Sequence, residues 1–123
     1  MCGERQTITI FPIGVVKFAG EISEIELFPQ YTQGLKGVRE TETLQILYWM
    51  HNLTEDDRNA LLAHPRGDRA RPKRGVFILR SPMRPNPIGS SKVEFVKREK
   101  NSLFVRGLDA LEGSPVIDIK CGP

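Results

Sequence analysis

Cysteine is scarce in this chain. Only Cys2 and Cys121 occur, near opposite ends. Neither belongs to a Cys-x-x-Cys pair, and His51 and His64 share no ligand spacing with them, so no metal site is expected. A disulfide joining Cys2 to Cys121 stays open as an alternative, although such bridges are the exception in a cytosolic chain. No apolar run is long enough to span a bilayer. At the start, Glu4 and Arg5 interrupt any signal-peptide shape and no apolar core follows them, which predicts a soluble, cytoplasmic protein. Also missing are a Gly-x-Gly-x-x-Gly turn after the first strand and an alternation of strands with helices. Their absence excludes a Rossmann-type sheet. The charge excess is small: 18 basic against 15 acidic residues leave +3, which permits a nucleic-acid partner without requiring one.

What is present reads as strands. The 123 residues suit a single domain, 1–123, with room for a real core, and 39% hydrophobic and 27% charged content is ordinary for a globular fold. Thr7 to Phe18 is rich in β-branched residues and predicts one long bent strand, or two short ones broken at Pro12 and Gly14. Glu24 to Phe28 alternates, with Ile25 and Leu27 on one face. Pro29 to Glu42 is polar and predicts a loop with a short turn of helix, before a strand from Thr43 to His51. Thr54 is a good N-cap for a short helix that runs through Ala60-Leu61-Leu62-Ala63 and stops at Pro65. Val76 to Leu79 has the composition of a buried strand. Ser91 to Lys97 and Ser102 to Arg106 form a hairpin, and Pro115 to Lys120 is the last strand. The sum is an all-β or β-dominated protein: a small antiparallel β-barrel with one short helix.

The chain is organised around Arg80-Ser81-Pro82-Met83-Arg84-Pro85-Asn86-Pro87-Ile88-Gly89-Ser90-Ser91. Its three prolines fix φ and push the preceding residues out of the helical region, so the loop is extended and stiff. Arg80 and Arg84 present flat forks of donors on that frame, suited to an anionic or planar partner. Upstream lies the most basic segment, Arg66 to Arg74, in which only Asp68 opposes five cations. Its Arg69, Arg71, Lys73 and Arg74 suit a phosphate backbone; the alternative is a solvated charged face. At the end of the third strand, Tyr48, Trp49 and Met50 divide between core and a ligand wall, since aromatic rings and thioethers suit an adenine ring and a sulfonium. On the last strand, strict alternation puts Val116, Asp118 and Lys120 on one face. An inward Asp118 needs a cation, Arg80 or Lys120, and the pairing with Arg80 would fix the loop.

Taken together, Gly75-Val76-Phe77, Arg80-Ser81, Arg84-Pro85-Asn86-Pro87-Ile88-Gly89, Asp109, Gly113-x-Pro115-Val116 and Asp118-Ile119-Lys120 resemble the TsaA-like (TrmO) family. The resemblance runs strongly from Gly75 to Lys120 and traceably from Ile13 to His51. It implies a small β-barrel that binds S-adenosylmethionine near a homodimer interface. It also implies methylation of N6 of threonylcarbamoyladenosine beside the anticodon of tRNA.

The positions that match the family's cofactor contacts are Met50, His51, Arg80, Ser90 and the turn Asp109-Ala110-Leu111-Glu112-Gly113. Backbone carbonyls of Ala110, Leu111 and Glu112 suit the positive sulfur. Arg84 and Asn86 join the basic segment on the substrate side, and His51 is the expected general base. Asp118 and Lys120 are expected to be structural. Three departures qualify the match. A Pro-Arg-Gln-Pro-Gly stretch is missing between Phe18 and Glu24, the sequence stops at Cys121-Gly122-Pro123 where relatives continue, and Ser90 replaces a larger apolar residue. The alternatives are therefore a methyltransferase of this scaffold acting on a small molecule, and a non-enzymatic barrel that binds S-adenosylmethionine or RNA.

Overall fold

The computed structural model describes residues 6–122, so a bridge involving Cys2 lies outside the described residues. Six strands close into an antiparallel barrel. Around the wall the order is β1 (Gly14–Phe18), β2 (Ile22–Leu27), β7 (Ser102–Arg106), β6 (Ile88–Glu99), β3 (Thr43–Trp49) and β8 (Pro115–Cys121), which returns to β1. A two-stranded ribbon of β4 (Leu62–Ala63) and β5 (Arg74–Gly75) stands apart from it. Alternation decides which side chains fill the barrel: Leu44, Ile46 and Tyr48 of β3 point inward, and Ile25 and Leu27 of β2 do the same. With Val16, Val93, Leu103, Val105 and Val116 they form one packed core. Among the described residues, no helix is long and apolar enough to cross a membrane.

The sequence expectations hold for the wall and fail in four places outside or along it. Residues 6–13 carry no strand, and Ile8 and Phe11 are exposed. Pro12 removes a ladder donor, and pairing starts only where the Ile13 N–H donates to Val116 O at 2.8 Å. Between Pro29 and Glu42 the expected short helical turn is present, as the 3-10 turns Pro29–Leu35 and Val38–Glu40, and Leu35 joins the core. Helix α1 is shorter than expected, Glu55–Asn59, although its start is as read: the Asp57 N–H donates to Thr54 Oγ1 at 3.2 Å and the Thr54 N–H to Asp57 Oδ2 at 3.0 Å. Leu62 and Ala63 leave the helix to pair with β5.

The third correction is the largest. Val76–Ile78 is a 3-10 turn, not a buried strand. Val76 is fully buried, but Phe77 and Ile78 are 77% and 64% exposed. Pairing of β3 with β6 closes the wall and leaves no edge for another strand to join. Fourth, β8 does not alternate strictly. Opposite Tyr48 stands Val116, and opposite Leu47 stands Asp118, so Ile117 is the extra residue of a bulge. The bulge resets the phase, Ile119 returns to the core side, and Asp118 faces outward.

Candidate functional site

A cavity of about 620 Å³ opens where β3 ends and β6 begins. That size falls within the range of small-molecule sites. Its walls come from three stretches far apart in sequence: Tyr48 and Met50 from the end of β3, Leu79 to Arg84 from the proline-rich loop with Ile88 to Lys92 from β6, and Gly107 and Asp109 before β8. Apolar and polar groups share the lining, with the forks of Arg80 and Arg84 on one side and the hydroxyls of Ser81, Ser90 and Ser91 nearby.

Arg84 builds the loop from within. Its guanidinium donates to the carbonyls of Val76 and Leu79, the latter at 2.7 Å, and so caps the 3-10 turn. Its Nε is buried and has no partner among the described residues. A guanidinium that lines a cavity suits an anionic group on a ligand. Arg80 closes the loop against the wall by donating to Ser90 O at 2.5 Å. The Ser90 hydroxyl accepts from Gln45 Nε2. Helix α1 braces the far side: Arg58 Nε donates to Pro85 O at 3.0 Å, and its guanidinium lies 5.3 Å from the Trp49 ring centroid. Met50 is tied by its N–H to Pro87 O at 2.8 Å.

Tyr48 connects the loop to the turn from 109 to 113, and nothing in the sequence pointed to this role. Its ring lies flat against Gly89, where an added Cβ would meet ring carbons at 2.4 Å. Only glycine fits there, which gives the Ile88-Gly89 step of the loop its physical reason. The Tyr48 hydroxyl donates to Asp109 O at 2.7 Å, while the Asp109 N–H donates to Ser91 Oγ at 3.2 Å. The Asp109 residue is thereby clamped from both sides. A tyrosine on the buried face of a strand, facing a glycine across the ladder, is the one signal that would have suggested the contact.

The expected cofactor positions divide. Met50, Arg80, Ser90 and Asp109 line the cavity, as does Arg84 from the substrate set. His51 is exposed beyond the end of β3 and does not line it; its Nε2 lies 3.8 Å from the place of a Cβ on Gly113. Gly113 takes φ +88°, and its N–H donates to Val16 O at 2.7 Å. Ala110 is buried, whereas Leu111 and Glu112 are exposed. The carbonyl of Leu111 accepts from both the N–H and the hydroxyl of Ser114, at 3.1 and 2.6 Å, so both its lone pairs are engaged within the turn. Asn86 is exposed, and its carbonyl accepts the Ile88 N–H.

Arg69, Arg71, Lys73 and Arg74 are all exposed. Their segment folds around Asp68, whose Oδ1 accepts the Ala70 N–H at 3.0 Å, and His64 Nδ1 lies 2.8 Å from Arg71 O. A smaller cavity of about 410 Å³, lined by Arg66 and Arg71, shares Leu79, Arg80, Ser81 and Pro82 with the main one.

The expected Arg80–Asp118 pair does not form. The bulge in β8 turns Asp118 to the opposite opening of the barrel, beside Leu35 and Thr41. There it pairs with Lys120 at 3.3 Å, the alternative partner, and its Oδ1 accepts the Ile119 N–H at 2.9 Å. Both side chains are about half exposed, so no buried charge needs compensation.

The fold and the cavity define a class: small closed antiparallel barrels that carry a ligand site at one rim, roofed by a long excursion between two wall strands. The chain belongs to the family of the tRNA-methyltransferase O N-terminal domain, whose model matches residues 7–121. An S-adenosyl-L-methionine-binding protein of Archaeoglobus fulgidus is 43% identical over 123 residues, covering 89% of this chain and 85% of its own. A protein of Methanothermobacter thermautotrophicus named "Probable S-adenosyl-L-methionine-binding protein" is 46% identical over 127 residues, covering 92% of this chain and 88% of its own. A crystal structure of TrmO from Pseudomonas aeruginosa superposes with a TM-score of 0.72 at 26% identity over 98% of this chain. The chain spans 57% of that solved chain.

Proposed function

We propose that this protein is a cytoplasmic S-adenosylmethionine-dependent methyltransferase acting on N6 of threonylcarbamoyladenosine in tRNA. The observation that carries the reading is the cavity in which Met50, Arg80, Arg84, Ser90 and Asp109 converge. These residues fit the cofactor. An arginine fork suits its carboxylate, the Asp109 carboxylate and the Met50 thioether tolerate a sulfonium, and the Tyr48 and Ile88 surfaces are apolar enough for a purine edge.

Bound there, the cofactor supplies a methyl group already activated on a cationic sulfur. What remains for the chain is positioning and the exclusion of water. Arg80 and Arg84 hold the loop and the anionic end; Met50 and Leu79 keep the reacting face dry. On accepting that methyl group the acceptor nitrogen would have to release one proton, which the chain must receive. His51, exposed beside Gly113 and outside the cavity lining, would take that proton through water.

Two features favour tRNA over a small acceptor. Arg66 and Arg71 of the exposed basic segment line the smaller cavity, which adjoins the main one at Leu79, Arg80, Ser81 and Pro82, and the main cavity opens outward to admit a base on a larger partner. Leu61, Leu62, Phe77 and Ile78, all in the excursion between β3 and β6 and all more than half exposed, support a homodimer that covers them.

The test is calorimetry with S-adenosylmethionine followed by methyl-transfer assays on bulk tRNA and on a small-metabolite extract. Binding in the micromolar range and methylation of tRNA are expected. Failure to bind at millimolar ligand overturns the cofactor reading. Methylation confined to the metabolite fraction replaces tRNA by a small acceptor.

A further inference from the structure

The basic segment before the proline-rich loop is one flank of the cavity. The other flank is basic too, and its sequence signal is the short run Lys97-Arg98-Glu99-Lys100. Strand β6 leaves the cavity at Lys92 and continues along the wall to Glu99. Lys92 also belongs to a shallow groove along the outer side of that strand, together with Arg39 and Arg106. That groove shares Arg39, Phe95 and Val96 with a second one, lined by Lys97, Arg98 and Lys100. The cavity meets the first groove at Lys92, and the first groove meets the second at Arg39, Phe95 and Val96, so the three adjoin in series as a track and each step adds cations.

The fold assembles this track from four separated places. Arg39 comes from the 3-10 turn before β3, Arg106 from the end of β7, Lys100 from the hairpin turn, and the rest from β6. A bulge helps: Phe95 stands opposite Val105 and Lys97 opposite Phe104, so Val96 is the extra residue. Past the bulge Lys97 points outward, over the Phe104 ring at 4.8 Å. From Lys92 to Lys100 the strand covers about 26 Å at about 3.3 Å per residue, the length of several nucleotides.

Three carboxylates share the track: Glu42, Glu94 and Glu99. Glu94 pairs with Arg106 at 3.4 Å and Glu99 with Lys97 at 2.9 Å. Both pairs are exposed on both sides, and such pairs contribute little and yield readily to a stronger anion. Arg98 is engaged otherwise, donating to the carbonyls of Lys100 and Leu35. The face of Phe104 is already covered by Lys97, so the surface suits phosphates rather than stacked bases.

We propose that the outer face of β6, with Arg39, Lys97 and Lys100 at its centre, is a second binding surface for the sugar-phosphate backbone of RNA. Together with the Arg66–Arg74 segment it makes the cavity the midpoint of a two-armed basic path. The backbone runs past the cavity on both sides, and the acceptor base turns out of its stack into it. The inference rests on the reading that the acceptor is a tRNA and adds where that tRNA lies.

The test uses bulk tRNA as the probe, with fluorescence anisotropy across a salt series. One variant combines Arg39→Gln, Lys97→Gln and Lys100→Asn; asparagine is chosen because residue 100 takes φ 55°. Its tRNA affinity is expected to fall on the order of tenfold, with the slope of log K against log salt shallower by about two. Affinity for S-adenosylmethionine and the melting temperature should not move. A second variant, Glu94→Gln with Glu99→Gln, is expected to change binding the other way, tightening it. If the wild type binds and methylates tRNA while both variants bind it as the wild type does, the surface is overturned and the acceptor reading stands. If the wild type binds the cofactor but neither binds nor methylates tRNA, the acceptor reading itself fails, and this surface with it.

Discussion

The barrel wall and the excursion between its strands β3 and β6, residues 50–87, are built by different physics. The wall is held by apolar burial: most of the fully buried side chains among the described residues, from Val16 and Ile25 to Leu103 and Val116, belong to it. Of the buried apolar side chains the excursion owns Ala63 and Val76, with Pro65 and Pro87 beside them. Its shape comes instead from stiff prolines and from arginines donating to backbone carbonyls: Arg84 to Val76 and Leu79, Arg58 to Pro85, Arg80 to Ser90. The lesson is a division of labour. A wall packed by burial forms with little regard to the ligand, whereas a roof held by a few charge-assisted bonds has the low local stability that binding elements draw on. The site lies at the seam, lined by both.

The strongest way to break this contrast is to damage the wall. Ile46 is fully buried, and Ile46→Ala should cost about 2–5 kcal/mol of global stability, read as a lower denaturation midpoint with wall and roof unfolding together. A roof that lost structure while the wall kept its midpoint would contradict the scheme.

Arg84→Ala is the converse. It removes the donor from two carbonyls and should cost about 1–3 kcal/mol for the groups left unsatisfied. Hydrogen exchange should quicken from residue 76 to 90 and stay unchanged in β1, β2 and β7. Cofactor affinity should fall by at least tenfold. Uniform acceleration through the wall would mean that the two regions form one cooperative unit.

Tyr48→Phe sharpens the seam. It keeps the ring against Gly89 and deletes only the bond to Asp109 O, worth roughly 0.5–1.5 kcal/mol. A few-fold loss of cofactor affinity is expected, with a smaller relative change in melting temperature. Ser91→Ala should have a comparable effect, because it releases the other side of the same residue. Unaltered cofactor affinity in both variants would remove Tyr48 from the site and leave it a core residue.

The smallest effect concerns the wall's surface. The Lys17 pKa is raised by its hydrogen bond to Glu26, then by the charges of Glu26 and Glu24. A raised lysine stabilises below its unfolded-state value and loses that contribution as pH climbs through the folded-state value, so the pair acts at neutral pH and fades in alkali. Lys17 is fully exposed, and Lys17→Met should leave the melting temperature unchanged within error at every pH up to about 9. A clear drop at neutral pH would show that surface charge matters more to the wall than burial suggests.

Much of this molecule is written locally. Alternation in β2 and β3 is a property of adjacent residues, and it already assigns Ile25, Leu27, Leu44, Ile46 and Tyr48 to the barrel interior. Thr54 with Asp57 marks the start of α1, and the prolines mark the stiff loop. Four of the expected cofactor positions, Met50, Arg80, Ser90 and Asp109, line one cavity because the end of β3, the start of β6 and two loops outside the strands meet at one rim.

What the sequence left undecided depends on partners distant along the chain. Val76-Phe77-Ile78-Leu79 has strand composition, yet becomes a turn because the closed wall offers it no edge. Asp118 faces outward because Ile117 bulges, and a bulge is set by register against β3, not by the sequence of β8 alone. Tyr48 reaches Asp109 across 61 residues, and Arg39 meets Lys97 only because the 3-10 turn before β3 lies beside β6. Composition and periodicity fix what a segment prefers; only closure of the barrel fixes which segments become neighbours, and the site and its basic track are made of such neighbours.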